Sequence, residues 1–521
     1  MRRHTLKTAT TMRSRLRGPA AALAAAGLLA GCINLAPAYH RPDAPVPARF
    51  DAPATPVATL PADATMPGWQ ALVLDAQVRG LVETALANNR DLRIAAANVQ
   101  RARAGITVAR ADLYPTIGAG VIGTRAPIAG SNGKLTEYDT YTAGLSLSTW
   151  ELDLFGRVRN ATDSAKANLA AAQYAQRATR LSVVTQTLSA AFTLQSAQEA
   201  IALARAQASA RDESLRLAKL RFDAGATSAL EWDTAQSLAA QTRIALAQAQ
   251  RDAAQARDAL AVLLGAPVPA DFPRPLPAPV AAAMPASASA GMVTTAPSSP
   301  ATYADPLAPV PANLASEVLL GRPDVMQAEA TLVAANATIG SARAAMFPHL
   351  TLTGNGGVAS TTLSGLVNNA ATAYTVTASA LLTVIDWGRN SANVDIARSS
   401  REAAVAGYEK ALQGAFRDVA DALSGLDTWR AQVAAATVQR DAEAERNRLT
   451  HLRFDNGAAS MLELLDSERS QAAAELALLQ ARQAELQNRV ALYRALGGDE
   501  AVPAGAAAVP APDDTPRSPP R

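Results

Sequence analysis

The feature that most restricts this chain is a repeat that returns after nearly half its length. Asp91-Leu92-Arg93 opens a stretch closing on Tyr114-Pro115, and Arg322-Pro323-Asp324-Val325 opens one closing on Phe347-Pro348. Asp91 and Asp324 stand 233 positions apart, as do Pro115 and Pro348, and Asp153 and Asp386. Arg221-Phe222-Asp223-x-Gly225 returns as Arg453-Phe454-Asp455-x-Gly457 after 232 positions, and Leu264-Gly265 returns as Leu496-Gly497 after the same 232. Anchors this far apart that keep one spacing to within a residue mark a tandem duplication, so the chain must hold its basic fold twice. The first unit covers 66–265 and the second 313–498; 266–312 is a Pro/Ala-rich irregular linker, and 499–521 reads as a disordered tail.

Each unit repeats the same order of elements. A helix runs to Tyr114-Pro115 or Phe347-Pro348, where proline stops it. Alternating segments follow: Tyr141, Ala143, Leu145 and Leu147 against Thr142, Gly144, Ser146 and Ser148, and Tyr374, Val376, Ala378 and Ala380 against Thr375, Thr377 and Ser379. Period two with small polar residues on the second face suits a membrane barrel strand with a wet lumen. Gly-rich partner strands precede them near 116–125 and 350–359. A very long helical stretch then spans about 158–222 and 389–454, and a second helix returns from each turn. Four strands cannot close a barrel, and open sheet edges are not tolerated in lipid, so several chains must share one. Aromatics are only 4% of the chain and alanine is abundant, which suits long helices packed side by side over a thin core.

Residues 1–31 read as a secretory leader, with Arg2, Arg3, Lys7, Arg13, Arg15 and Arg17 before an apolar run from Ala20 to Ala30. Much of the net charge of +3 lies in those arginines and lysine, so no nucleic-acid footprint remains in the body of the chain. Leu29-Ala30-Gly31-Cys32 resembles the bacterial lipobox, which implies cleavage before Cys32 and acylation of that residue, with 32–65 as an acylated tether. Ile33 after the cysteine implies, by the same analogy, delivery to the outer membrane. Cys32 is the only cysteine, and the four histidines are scattered, so neither an intrachain disulfide nor a cysteine-based metal site is expected. No cofactor motif survives scrutiny. Gly118-Ala119-Gly120-Val121-Ile122-Gly123 fits the dinucleotide fingerprint in letters only, since a helix and Pro115 precede it and strand-like sequence follows. Gly130-Ser131-Asn132-Gly133-Lys134-Leu135 has the wrong glycine spacing for a P-loop and reads as an extracellular loop between strands.

With the lipobox, Trp150-Glu151-Leu152-Asp153-Leu154-Phe155-Gly156-Arg157, Arg322-Pro323-Asp324-Val325, the Ala335-Asn336-Ala337 run and Leu492-Tyr493-Arg494-Ala495-Leu496-Gly497-Gly498, the chain resembles the TolC-like outer membrane factor family, in particular its lipoprotein branch. The resemblance covers roughly 29–498. It implies a mainly α chain with a membrane β part: a homotrimer whose twelve-stranded β-barrel, four strands per chain, continues as a twelve-helix periplasmic tunnel. It also implies a passive channel with no enzymatic step, anchored to outer-membrane lipid and working with a periplasmic adaptor and an inner-membrane RND-type pump. The rivals are a periplasmic adaptor lipoprotein, which would hold one helical hairpin beside duplicated β domains, and a structural coiled-coil envelope lipoprotein, which would lack the alternating strands.

Each helical hairpin turns at Arg-Phe-Asp-x-Gly, where Gly225 and Gly457 suit the left-handed position that ends a helix. Ser228 with Glu231, and Ser460 with Glu463, have the spacing of capping boxes that restart the chain as a helix. These turns are candidates for adaptor docking; as plain turns they need no partner. Leu462, Asp466 and Arg469 fall on one helical stripe, while the first copy has the uncharged Leu230, Thr234 and Ser237 there. The resemblance implies that Leu462 and Asp466 narrow the periplasmic end of the tunnel and that Arg469 belongs to the latch, three Asp466 forming an acidic ring that repels itself when closed. The plainer reading is a surface acid paired with Arg469 one turn away.

Overall fold

The computed structural model describes residues 34–47, 50, 67–129, 135–273, 306–309 and 316–501. The leader, Cys32, most of the tether beyond residue 47, the 130–134 loop, most of the linker and the tail from 502 lie outside the described residues.

Helix α1 covers Ala76–Asn88 and α2 covers Arg90–Ala111, followed by strands β1 (Ile117–Ala129) and β2 (Leu135–Leu152). The long helix α3 (Arg157–Asp223) and its return α4 (Ala229–Leu264) complete the first copy. The second copy repeats this as α5 (Pro323–Ala344), β3 (His349–Ser360), β4 (Ala371–Leu381), α6 (Arg389–Asp455) and α7 (Met461–Ala495). The Gly-rich segments are strands, and the letters of the dinucleotide fingerprint all lie inside β1. Both long helices contain 67 residues, about 100 Å at 1.5 Å per residue.

The sheet is antiparallel in the order β1-β2-β3-β4, leaving β1 and β4 as edges. Its two halves share a register: Ile117 faces Leu147 in the first copy, and Leu350 faces Ala380, each 233 positions on, in the second. Gly144 and Gly357 face each other across β2 and β3; a Cβ at Gly144 would stand 2.3 Å from the Gly356 carbonyl oxygen, so only glycine fits.

The strand-to-helix turns explain why the repeat spacing slips from 233 to 232. Copy one spends Leu154, Phe155 and Gly156 between Asp153 and the helix, whereas copy two spends only Trp387 and Gly388 after Asp386. Both glycines take left-handed backbone at the helix N-cap, φ 76° and 87°. Both aspartates accept a backbone N–H of the helix they precede, from Arg159 at 2.8 Å and from Asn390 at 2.9 Å. The shorter turn also forces Trp387 to φ 57°, a costly conformation for a bulky residue.

Beside each long helix runs a column made of two pieces. Helices α2 and α4 abut end to end along α3, and α5 and α7 do the same along α6, while α3 also packs on α5 and α7. The joints are equivalent by the repeat. Asn89 Nδ2 donates to the Leu263 carbonyl at 2.9 Å, and Arg322 Nη1 donates to the Ala495 carbonyl at 2.6 Å. Each side chain bridges a helix end whose last carbonyls lack an internal partner.

Large side chains gather in one girdle at mid-height. Trp69, Leu72, Leu188, Leu194, Leu260, Leu264, Tyr408, Leu412, Leu492 and Tyr493 belong to its core, all nearly without solvent contact. Phe272 and Leu307 from either end of the linker are buried in it too, and Leu307 forms a bridge with Val73. Toward the tips the buried apolar positions of α3 and α4 become alanines, Ala204, Ala208, Ala218, Ala235 and Ala239. The expected tail boundary at 498 is corrected: Gly498–Glu500 forms a 3-10 turn held by Arg180 through Asp499 and Glu500. Those two acids gain a half-exposed cationic partner there, which composition alone did not reveal.

The N-terminal segment 34–47 packs against the second copy. Arg41 grips the buried Glu329 of α5 through Nε at 2.7 Å and Nη2 at 2.8 Å, and Tyr39 donates to the same carboxylate at 3.1 Å. Burial, then the Glu329 charge, pushes the Tyr39 phenol pKa up. Farther along, Asn336 donates to the Pro37 carbonyl and Arg343 to that of Leu35.

Candidate gate and docking tips

Both hairpin turns end their long helix in the same hydrogen-bonded motif. Gly225, at φ 69°, donates to Phe222 at 2.9 Å while Ala226 donates to Arg221 at 2.8 Å. Gly457, at φ 73°, donates to Phe454 at 3.0 Å while Ala458 donates to Arg453 at 2.7 Å. This nested pair of bonds satisfies the last carbonyls of the helix and needs a left-handed residue at its centre.

The restarts differ. Ser460 forms the full reciprocal box: its hydroxyl accepts from the Glu463 amide at 3.2 Å, and the Glu463 carboxylate accepts from the Ser460 amide at 2.8 Å. Ser228 accepts from the Glu231 amide at 3.3 Å, but the Glu231 carboxylate is taken by the Thr227 hydroxyl. The first-copy expectation is therefore corrected to half a box. Ala459 stands at the position of Thr227 in the second copy and offers no competing hydroxyl. The two tips lie together, with the Arg221 guanidinium 5.2 Å from the centre of the Phe454 ring.

Leu462, Asp466 and Arg469 share one face of α7 and are not covered within the chain. Leu462 is 70% exposed. Asp466 accepts from Arg469 at 2.7 Å and faces Arg446 of α6 at 3.5 Å. Two guanidiniums thus offset each carboxylate, so a ring of three would not carry the bare negative charge expected from the sequence. The Arg469 hydrogen bond, seconded by Arg446, holds the Asp466 pKa below the usual carboxylate value, and the Ser460 amide does the same for Glu463.

These shifts set a pH dependence. Both groups are more acidic in the folded tip than in an unfolded chain, so their contribution is present at neutral pH. It is lost as the pH falls through and below the ordinary carboxylate range near 4. Hydrogen exchange over residues 455–470, corrected for the intrinsic rate, should show protection falling in that window. Glu463→Gln should flatten the fall, and protection unchanged into strong acid would contradict the assignment.

Sequence reasoning missed a buried polar junction beside this face. Arg211 of α3 donates to the Leu465 carbonyl at 2.8 Å and lies 2.7 Å from Glu468. Glu468 also meets His451 of α6 at 3.2 Å, so three helices from both copies converge. Burial pulls the Arg211 pKa down from its ordinary value. The signal was available: Ala204, Ala208, Arg211 and Ala218 form one buried stripe, and a charge there demands a partner.

At the other end of the helices, Glu151 at the end of β2 joins Arg157 of α3, at 2.7 Å, to His349 of β3, at 3.2 Å. Trp150 Nε1 donates to the Leu113 carbonyl at 3.2 Å, and Phe155 stacks on Phe347 with ring centres 4.7 Å apart. These contacts lock the sheet to the helices where the two copies meet.

Comparison with known proteins follows the same division. The family model described as outer membrane efflux protein matches residues 81–266 and 314–498. The toluene efflux pump outer membrane protein TtgC of Pseudomonas putida is 34% identical over 476 residues, 90% of this chain and 93% of that protein. The cation efflux system protein CusC of Escherichia coli K12 is 34% identical over 475 residues, covering 90% of this chain and 97% of its own. The solved open state of the MtrE outer membrane channel of Neisseria gonorrhoeae superposes with a TM-score of 0.75 at 32% identity, over 90% of this chain and 99% of that one.

Proposed function

The chain belongs to the outer membrane efflux protein family, and we infer that three copies close into one continuous export duct. It is the outer-membrane channel component of an efflux system and reaches into the periplasm. The observation that carries the trimer is the open sheet: four strands in the order β1-β2-β3-β4 leave two unpaired edges, and hydrocarbon offers neither edge a partner. Three chains supply twelve strands, a number that closes a barrel wide enough for an aqueous lumen. The purified protein should have the mass of three chains in detergent and form discrete pores in planar bilayers. A monomer without conductance would overturn the reading.

Transport through the duct is passive, with energy supplied by an inner-membrane pump of the RND type through a periplasmic adaptor. The tips around Gly225, Ser228, Glu231, Gly457, Ser460 and Glu463 are the docking surface for that adaptor, because they end the long helices farthest from the sheet. Acylation of Cys32, supported by the Leu29-Ala30-Gly31-Cys32 sequence, would fix the N-terminus to outer-membrane lipid. TtgC and CusC carry toluene and cation pumps in their names at the same 34% identity, so overall similarity does not select a cargo. Cargo selection is assigned to the pump.

Leu462, Asp466 and Arg469 form the periplasmic constriction, three copies of one uncovered face meeting on the axis. Asp466→Ala removes the acceptor shared by Arg469 and Arg446 and leaves their positive charges facing one another. Closed-state current through reconstituted trimers is expected to rise, and cells should admit large antibiotics more readily. An unchanged closed-state current would remove Asp466 from the gate.

A further inference from the structure

We propose that the linker carries a second strap, residues 303–309, which lies on the arginine face of the neighbouring subunit's α2 much as residues 39–45 lie on α5. The proposal rests on the trimer reading above, since the α2 that receives the strap belongs to the next chain.

The two segments are near copies. Tyr39-His40-Arg41-Pro42-Asp43-Ala44-Pro45-Val46-Pro47-Ala48 returns after 264 positions as Tyr303-Ala304-Asp305-Pro306-Leu307-Ala308-Pro309-Val310-Pro311-Ala312. The tyrosine, the first proline and the whole Ala-Pro-Val-Pro-Ala run are kept. Proline and alanine abound near both segments, but the chain has only nine tyrosines, and both stand at one distance from the run. The offset exceeds the 233 of the repeat because copy one places α1 between strap and α2, whereas copy two has only the turn Ser316–Gly321 there. Each segment leads into one copy of the duplicated unit.

The first strap supplies the template. Arg41 and Tyr39 close on Glu329, Tyr39 packs against the cluster of Ala330, Val333 and Ala334, and Asn336 donates to the Pro37 carbonyl at 2.7 Å. The second strap is seated at one end in the girdle. Leu307 is buried there, the Leu74 amide donates to the Pro306 carbonyl at 2.8 Å, and the Ala308 amide donates to that of Leu72 at 2.8 Å. Residues 303–305 lie outside the described residues, yet Asp305, two residues from Leu307, must stand within about 7 Å of it. That is girdle level, and α2 rises from the same level with Leu92 packed against the girdle core.

Charge selects the receiving face. A shift of 233 carries Glu329 to Ala96, with Arg93 one turn before it and Arg103 two turns after. Met326, Ala330, Val333 and Asn336 of α5 are buried, whereas their counterparts Arg93, Ala97, Gln100 and Arg103 are exposed. Among the described residues no carboxylate pairs with Arg93 or Arg103. α2 is thus basic where α5 is acidic, and the strap reverses in step, from Arg41 to Asp305. Arg103 also keeps the kind of donor that Asn336 turns toward the strap main chain. The first strap leads into copy one and lies on copy two; the same step taken from the linker ends on copy one of the next subunit.

Cross-linking between cysteines tests the seat in the full-length protein. Asp305→Cys with Ala96→Cys, bridged by a short bismaleimide, should join most subunits covalently. Asp305→Cys with Asn98→Cys, about half a turn round α2, should join few, and Asp305→Cys alone controls for any link to native Cys32. A trimer that links no better through Ala96 than through Asn98 overturns the strap, and a link closed within one chain overturns its assignment to the neighbour. A protein that is monomeric before cross-linking fails the trimer reading itself. Charge reversal gives an independent readout. Asp305→Arg should make the linker severalfold easier to cut with added protease, and Arg93→Glu in the same variant should restore the parental rate. Failure of Arg93→Glu to rescue would show that Asp305 does not face α2.

Discussion

Arg211→Met should raise the closed-state leak of the reconstituted channel without dispersing the trimer. The guanidinium, 8% exposed, ties the first hairpin to the second through the Leu465 carbonyl and Glu468, a turn or less from Asp466. Methionine keeps the apolar stem but leaves Glu468 with only His451 and leaves the Leu465 carbonyl one donor short. Stripping one partner from a buried ion pair costs about 3–5 kcal/mol, and residual solvent at Glu468 lowers that to about 2–3 kcal/mol here. At about 1.4 kcal/mol per tenfold, the local equilibrium between joined and separated hairpins shifts by roughly 30- to 140-fold. Single-channel current at low voltage reads the change. The double variant Arg211→Met with Glu468→Leu should recover part of the seal, because losing both partners is milder than orphaning one. If the single variant leaks no more than the parent, the junction has no part in closure.

Arg41→Met should free the N-terminal segment from the helices it crosses. Glu329 has 3% of its side chain exposed, and Arg41 supplies the bidentate pairing that lets a carboxylate remain there. Without it the charge stays buried with the Tyr39 hydroxyl as its partner, a loss of about 3 kcal/mol on the scale of broken buried pairs. Segment 34–47 should then be cleaved by added protease about a hundredfold faster, while the long helices stay intact. Glu329→Gln, which removes the charge together with its need for a counterion, should produce a smaller effect. Cleavage at the parental rate in Arg41→Met would show that the Pro37 and Leu35 contacts hold the segment alone.

The duplication made most of the fold legible before any coordinates. A 67-residue helix, a helix-ending glycine and a restarting serine each have strong local signatures, and each recurs at the expected position. What stayed hidden depends on residues distant in sequence. Arg41 and Glu329 are 288 positions apart, and Arg211 donates across 254 positions to Leu465. No spacing rule links such residues, although a charge on an alanine stripe at Arg211 was a usable hint. Asp466 was visible as a charge unique to one copy, but Arg446, which offsets it, comes from the neighbouring helix and is found only by packing. Thr227, a single hydroxyl, was enough to divert Glu231 from the box that its letters spelled.

The jointed columns bear on how such a molecule could move. Where α4 abuts α2, and α7 abuts α5, the main chain is interrupted and one side chain, Asn89 or Arg322, spans the break. A tip that swings sideways can slip at these seams by stretching a few polar contacts, whereas its unbroken neighbour must flex as a rod through its whole ladder of amide bonds. Every hairpin therefore pairs a stiff strut with a hinged one, and the easy direction of travel is the one that pivots at the girdle and leaves the membrane half at rest.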